Sequence, residues 1–425
     1  MRTRTAPTAA VLALSIGLLA TACGGGDDDT DTTGGEGGGD NAAVSGEVTM
    51  WIYPAIADEA THRGFWDDTV AAFNQEYPDV DVTVEIFPWA DRDQALTTAI
   101  AGNSAPDVVY LIPDQLPAYA RNIEPIDDYL SEDEKADYRP NVVDSVSIDG
   151  QMMGAPILQS VLALVCNKQV FDAVGQTEYP ETWDDLLEMA PTFKDAGFDM
   201  TAYGGDVANS LNLSFYPLLW QAGGDVFNED GTEVAFNSDA GVRALEFVQQ
   251  LVEGGFVDPA QLTTEPPLEQ TRIAQNKVAC VWHMEPQYLV DFWGEENVIV
   301  RPPLKDAEQI HYGTVGSLSM LSSAEDKEAA GAWIDFATSA ERSAEYDVAG
   351  RFFSTKESVG ALYEGDPILG ELEQFAGMTT VGPLNEHARE VMGVLAPEIQ
   401  AVLVGDKEPQ QALDDAAEAA NPLLG

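Results

Sequence analysis

The order of hydrophobic patterns between residues 48 and 111 constrains the fold more than any other feature. Val80, Val82, Val84 and Ile86 alternate with Asp81, Thr83 and Glu85, the period of a half-buried strand. Before it, Trp66, Val70, Phe73 and Tyr77 fall on one face of a helix over 65–77, which Pro78 ends. Residues 48–51 and 106–111 read as short buried strands. A second helix over 94–101 closes at Gly102-Asn103. Strand, helix, strand, helix, strand is the order of a parallel α/β sheet with right-handed crossovers.

The alternation continues. Thr182-Trp183-Asp184-Asp185 has the form of a capping box ahead of Leu186, Leu187, Ala190 and Phe193. Ser238 is placed to cap a helix carrying Val242, Leu245, Phe247, Val248 and Leu251, stopped by Gly254-Gly255. Residues 277–281 read as a strand, and 328–339 as a helix with Trp333 and Phe336. Two further helices follow from about His387. Trp66, Trp183 and Trp333 sit inside helical patterns and read as core. No fixed-period repeat is visible.

The N-terminus reads as an address. Arg2 and Arg4 precede a twelve-residue apolar stretch, 9–20, too short for a spanning helix of ~20 residues. It suits a signal peptide over 1–22. Leu19-Ala20-Thr21-Ala22-Cys23 resembles the bacterial lipobox, which implies lipidation of Cys23. A plain secretory signal and an uncleaved anchor are the alternatives. Residues 24–46 are rich in Gly, Asp and Thr without an aromatic, as in a flexible acidic tether. An acyl anchor and tether would hold a globular part at the outer face of the cell membrane.

The 425 residues carry 73 Asp+Glu against 20 Lys+Arg, a net charge of −53. Phosphates would be repelled, which disfavours nucleic acid and anionic lipid surfaces as partners. Hydrophobic content of 45% still permits a sizeable core, and the length suits two or three domains. Acids are dispersed, as at Asp127-Asp128, Glu132-Asp133-Glu134, Glu295-Glu296 and Asp414-Asp415, and lysines are scarce. This composition fits an acidic, halophilic surface. Melting temperature is expected to rise with salt; indifference up to molar salt would contradict that.

Chemistry-bearing motifs are few. His62, His283, His311 and His387 show no metal-ligand spacing, so neither a metal nor a cofactor is expected. There is no P-loop and no G-x-S-x-G elbow. Cys166 and Cys280 lie in apolar strand-like runs, LALVCNK and KVACVW. They are either two buried thiols or a disulfide, which export permits.

Several ordered segments resemble one family. FNQEYPDVDVTVEIFPWADRDQALTTAIAGNSAPDVVYL, Gly154-Ala155-Pro156 with ALVCNKQVFDAVG, PETWDDLL, Gly223-Gly224 with NSDAGVRALEFVQQLV, and IQAVLVGDKEPQQALDDAAEAAN follow in order. The set is similar to the carbohydrate-type, maltose-binding-protein-like extracellular solute-binding proteins of bacterial ABC importers. It covers nearly all of 47–425. Cys166 stands where an aromatic is usual. Trp282-His283-Met284-Glu285-Pro286 replaces a Gly-rich stretch that often precedes Pro-Trp.

The resemblance implies a two-lobed periplasmic-binding-protein-like (type II) α/β fold with a hinge and an interlobe cleft. Lobe one is expected over 47–159 and 316–350, and lobe two over 160–315 and 351–425. Hinges are expected near Gln159-Ser160, Thr314 to Gly316 and Gly350-Arg351. A lipid-anchored monomer would then capture a sugar and deliver it to the permease without catalysis.

Ligand contacts are sought at strand ends, where aromatic faces suit sugar rings and polar groups suit hydroxyls. Each candidate has a plainer role beside it. Tyr53, Trp89, Trp220 and Trp282 either stack on a ligand or pack in the core. Asp114, Gln115 and Glu285 either bind or are simply solvated. Gln159 faces the cleft or holds the hinge. Tyr312 and Gly316 lie near the second crossing, where Gly316 would admit close backbone approach. Arg351 forks onto a ligand or forms a structural salt bridge. An exported carbohydrate hydrolase, and the same architecture with a polyamine or peptide ligand, are the competing readings.

Overall fold

The computed structural model describes residues 44–207 and 210–425. The signal segment, Cys23 and the tether up to residue 43 lie outside the described residues. In chain order the strands are β1 (Gly46–Ile52), β2 (Val80–Ile86), β3 (Val108–Leu111), β4 (Ile123–Glu124), β5 (Ser147–Ile148), β6 (Gln151–Met152) and β7 (Ala155–Gln159). Then come β8 (Leu164–Asn167), β9 (Asp199–Thr201), β10 (Val278–Val281), β11 (Val298–Arg301), β12 (His311–Tyr312), β13 (Val315–Leu321) and β14 (Thr379–Thr380).

One sheet has the order β2-β1-β3-β13-β4, with β7 also paired to β13. β1 is parallel to β2 and β3, as the alternating pattern predicts. β13 runs antiparallel to β3, β4 and β7, so the sheet is mixed. The reason is connectivity: β13 enters after the chain has built a second sheet, not through a local helical crossover. That second sheet has the order β11-β8-β10-β9.

Local signals fix most elements. The first helix, Glu59–Glu76, starts earlier than the apolar spacing predicts, because Asp58 caps it by accepting from the Thr61 N–H at 2.8 Å. Its buried face is His62, Trp66, Thr69 and Phe73. The capping box at Thr182 is present. Thr182 Oγ1 accepts from Asp185 N–H at 3.1 Å, and Asp185 accepts from Thr182 N–H at 3.0 Å. Ser238 occupies the N-cap of helix Asp239–Glu253 but makes no side-chain cap bond.

Apolar packing separates into distinct cores. One joins the first sheet to Trp66, Phe73, Trp333 and Tyr346. The other two cover opposite faces of the second sheet, one around Trp183, Phe215 and Phe247, the other around Trp293, Phe353 and Leu372. Core membership changes between Leu158 and Val161, between Tyr312 and Val315, and between Phe352 and Phe353. These crossings lie side by side. Gln159 and Phe353 exchange backbone hydrogen bonds of 3.0 and 2.9 Å, and Ser160 N–H donates to Thr314 O at 2.8 Å.

Residues 354–358 depart from the division expected at 350/351, because they run along lobe one. Arg139 N–H donates to Thr355 O at 2.9 Å, and Glu357 N–H to Asp137 O at 2.8 Å. Lys356 is fully buried, paired with Glu134 and 4.4 Å from the Tyr138 ring centroid. Cys166 and Cys280 are joined as a disulfide between directly opposed residues of β8 and β10.

Candidate ligand-binding cleft

A cavity of about 420 Å³ lies between the lobes. Ile112, Pro113 and Asp114 line it from lobe one, Tyr312 and Thr314 from the second crossing, and Tyr216, Phe227, Asn385, Arg389 and Met392 from lobe two. Its volume falls within the ~300–1,000 Å³ range of small-molecule sites.

Each wall has a local cause. After β3 the chain turns, with Gln115 N–H donating to Ile112 O at 2.9 Å and Ile112 N–H to Gln115 Oε1 at 3.3 Å. Gln115 Nε2 donates to Asp93 at 2.6 Å. Gln115 is thus a buried brace, and it presents the exposed Asp114 to the cleft. Tyr312 is positioned by the parallel pairing of β12 with β14. Beyond β14, Gly382 takes φ +72° and lies on Trp220, where a Cβ would come within 2.9 Å of the indole. Trp220 is buried and its Nε1 donates to Asp225 at 3.2 Å. It therefore supports the cavity wall from behind.

One ion pair spans the cleft. Arg389, in the first turn of helix Ala388–Leu403, donates through Nε to Asp114 Oδ2 at 3.1 Å and through Nη2 to the same oxygen. Asp114, the largest influence, raises the Arg389 pKa, and Asp93 acts in the same direction. An exposed pair of this kind contributes ~0.2–1 kcal/mol. Arg389→Ala is expected to lower the ratio of closed to open protein by up to about fivefold. Small-angle scattering of the ligand-free protein should show a larger radius of gyration; an unchanged radius would exclude this role.

The structure brings Asp114 and Tyr312 to the cavity and places the other candidates elsewhere. Tyr53 is fully buried, 5.2 Å from the Trp89 ring and 6.4 Å from Tyr110. Trp89 is half-buried, its Nε1 on Pro54 O at 3.1 Å and the Arg92 guanidinium 5.2 Å from its ring centroid. Gln159 is fully buried at the crossing, donates to Ala376 O at 3.0 Å and lies outside the cavity lining. Trp282 is in the core of lobe two, while Glu285 is exposed outside the cavity lining. Gly316 accommodates Tyr110: an added Cβ would lie 2.0 Å from the tyrosine hydroxyl. Arg351 is an exposed left-handed C-cap at φ +60°, away from the cavity lining.

Tyr216, Phe227, Asn385, Arg389 and Met392 were not legible as site residues. Arg389 carried the one available signal, a base at a helix N-terminus, where the helix dipole favours acids. Among the described residues no cluster of three or more His, Cys, Asp or Glu side chains is arranged to hold a metal. Nor is any helix among them long and apolar enough to cross a membrane.

Comparison with known proteins supplies the class. A protein of Brucella abortus described as a binding protein is 22% identical over 90% of this chain and 95% of its own length. The galactooligosaccharide-binding protein of Bacillus subtilis is 22% identical over 89% of this chain and 90% of its own. The crystal structure of a cyclic alpha-maltosyl-1,6-maltose binding protein from Arthrobacter globiformis superposes with a TM-score of 0.78 at 20% identity, covering 89% of this chain and 99% of that one. The family model for bacterial extracellular solute-binding proteins matches residues 57–343, and the chain belongs to that family.

Proposed function

We propose that the protein is the substrate-binding receptor of an ABC importer, that it captures an oligosaccharide between its lobes, and that it hands the ligand unchanged to the permease. The observation carrying this reading is the interlobe cavity, walled by both lobes and by a crossing segment. A ligand there contacts both lobes at once, so it favours the closed state by its differential affinity. Relatives named for galactooligosaccharide and for a cyclic maltosyl-maltose support a sugar ligand. Tyr216, Phe227 and Tyr312 offer aromatic faces, and Asn385, Thr314 and the Asp114–Arg389 pair offer polar partners.

The anchoring is part of the proposal: Cys23 carries lipid, and residues 24–46 tether the monomeric receptor to the outer face of the membrane. A thermal-shift panel of malto- and galacto-oligosaccharides tests the binding reading. A ligand at 100 times its Kd stabilises the folded protein by ~2.7 kcal/mol. A panel without any shift would sink the sugar assignment and leave a polyamine or peptide as the next ligand to test.

A further inference from the structure

A polar tie joins the lobes beside the chain crossings. It starts at the short helix Pro140–Asp144 of lobe one, which Pro140 opens and whose Val142 packs into the core of the first sheet. The start of this helix is held by Arg139, which donates through its N–H to Thr355 O at 2.9 Å and through Nε to Ser354 O at 3.0 Å. Asn141 then reaches lobe two. Its Nδ2 donates to Ala376 O at 3.0 Å, to Thr379 Oγ1 at 3.0 Å and to Thr379 O at 3.3 Å. Ala376 is buried in the lobe-two core around Trp293 and Phe353. Its carbonyl also accepts from Gln159 Nε2 at 3.0 Å and from the Thr379 hydroxyl at 3.2 Å. Two lobe-one amides thus converge on one lobe-two carbonyl. Two of the oxygens facing Asn141 are carbonyls, which only accept, so this position calls for a donor.

The tied segment leads straight into the cleft wall. Thr379 and Thr380 form β14, which pairs with His311 and Tyr312. Gly382 N–H donates to Thr380 Oγ1 at 2.9 Å, and Val381, Pro383, Leu384 and Asn385 line the interlobe cavity. Asn141 itself lies outside that lining. We propose that Asn141 is a positioning residue for ligand binding: from lobe one, it sets where the lobe-two wall at 381–393 stands. The assignment rests on the reading of the interlobe cavity as the ligand site. It adds that part of the affinity resides in a side chain that touches no ligand. A wall already held in place costs less to order when the ligand arrives.

Asn141→Asp and Asn141→Ala test this. Asp keeps the shape, removes the donor and sets a negative oxygen against two carbonyls. Ala removes the group and leaves its partners open to water. Both variants and the unaltered protein are titrated calorimetrically with maltotriose and with a galacto-trisaccharide. With the sugar that binds, affinity should fall about tenfold in Asn141→Asp and about threefold in Asn141→Ala. A role in filling volume alone would give the reverse order. Hydrogen exchange of the ligand-free protein supplies a second readout. Backbone amides of 376–385 should exchange about fivefold faster in Asn141→Asp, with β1, β2 and β3 unaltered. Affinity or 376–385 exchange left unchanged by Asn141→Asp overturns the assignment, as does an Ala variant that binds more weakly than the Asp variant. Faster exchange throughout lobe one marks a general loss of stability and overturns it too. If neither trisaccharide binds the unaltered protein, the sugar reading falls and the exchange comparison alone decides the tie.

Discussion

Replacing Cys166 and Cys280 together by Ala is expected to lower the stability of lobe two by about 4–5 kcal/mol. The two residues are 114 apart, and cross-linking a loop of ~100 residues removes about 4.7 kcal/mol of unfolded-chain entropy. The bond joins β8 to β10 at the centre of the order β11-β8-β10-β9, and both cysteines are fully buried. It therefore staples the two strands on which the cores of lobe two rest. Lobe one has its own core and no part in the bridge. Denaturant unfolding should change accordingly. The double variant should show an early transition for lobe two, followed by a later one at the original position of lobe one. A single transition within 1 kcal/mol of the original stability would show that the staple is redundant.

Acidification should also destabilise the fold, with a slope set by buried neutral histidines. His62 and His311 are fully buried, and burial depresses both from 6.5 to about 4. His62 accepts from Ile56 N–H, and His311 accepts from Tyr312 N–H at 2.8 Å. Nε2 of each has no partner. The unfolded chain takes up these protons near pH 6.5, whereas the folded chain resists until about pH 4. Stability is thus complete above pH 6.5 and is lost progressively as pH falls through that window, on the order of 3 kcal/mol for each group.

Asp347 acts in the opposite sense. It is buried, both carboxylate oxygens are unpartnered, and burial raises its pKa well above the usual range. Protonating it as pH falls favours the folded state. His283, likewise lowered by burial to about 4, adds to the loss, while Asp199, Asp225, Glu285 and Asp335, raised by desolvation, act with Asp347. The three large histidine shifts leave a net loss, expected as a fall in Tm of roughly 10 °C between pH 7 and pH 4. His311→Gln should flatten the slope. A Tm that is flat or rising over this range would contradict the assignment of these imidazoles as neutral.

The elements that sequence makes legible are those with local causes. The alternation at Val80–Ile86 needs only one buried face, and Thr182 and Asp185 cap each other within four residues. The start of the first helix is less visible, because Thr61, His62, Arg63 and Gly64 break the apolar spacing and His62 is buried by Tyr346 from far along the chain. The antiparallel entry of β13 depends on the whole of lobe two intervening, which no local pattern encodes.

The site was harder still. Strand-end logic pointed to Asp114 and proximity to a crossing to Tyr312, and both line the cavity, but neither argument separates a lining residue from a brace. Gln115 and Trp220 hold walls that others line, and Gln159 and Gly316 serve the crossing itself. The lobe-two wall at 381–393 reads locally as no more than a helix start. Its role follows from the β12–β14 pairing, between residues 68 apart in sequence.

The most direct test of the receptor reading is calorimetric titration of the purified protein with the oligosaccharide that shifts its melting most, followed by chromatography of the sugar recovered from the complex. The expected result is one site per chain, a Kd in the micromolar range, about −8 kcal/mol, and the oligosaccharide recovered intact. Recovery of shorter sugars would make the protein a hydrolase and contradict the account, as would a binding isotherm unaltered when Tyr312 and Arg389 are both replaced by Ala.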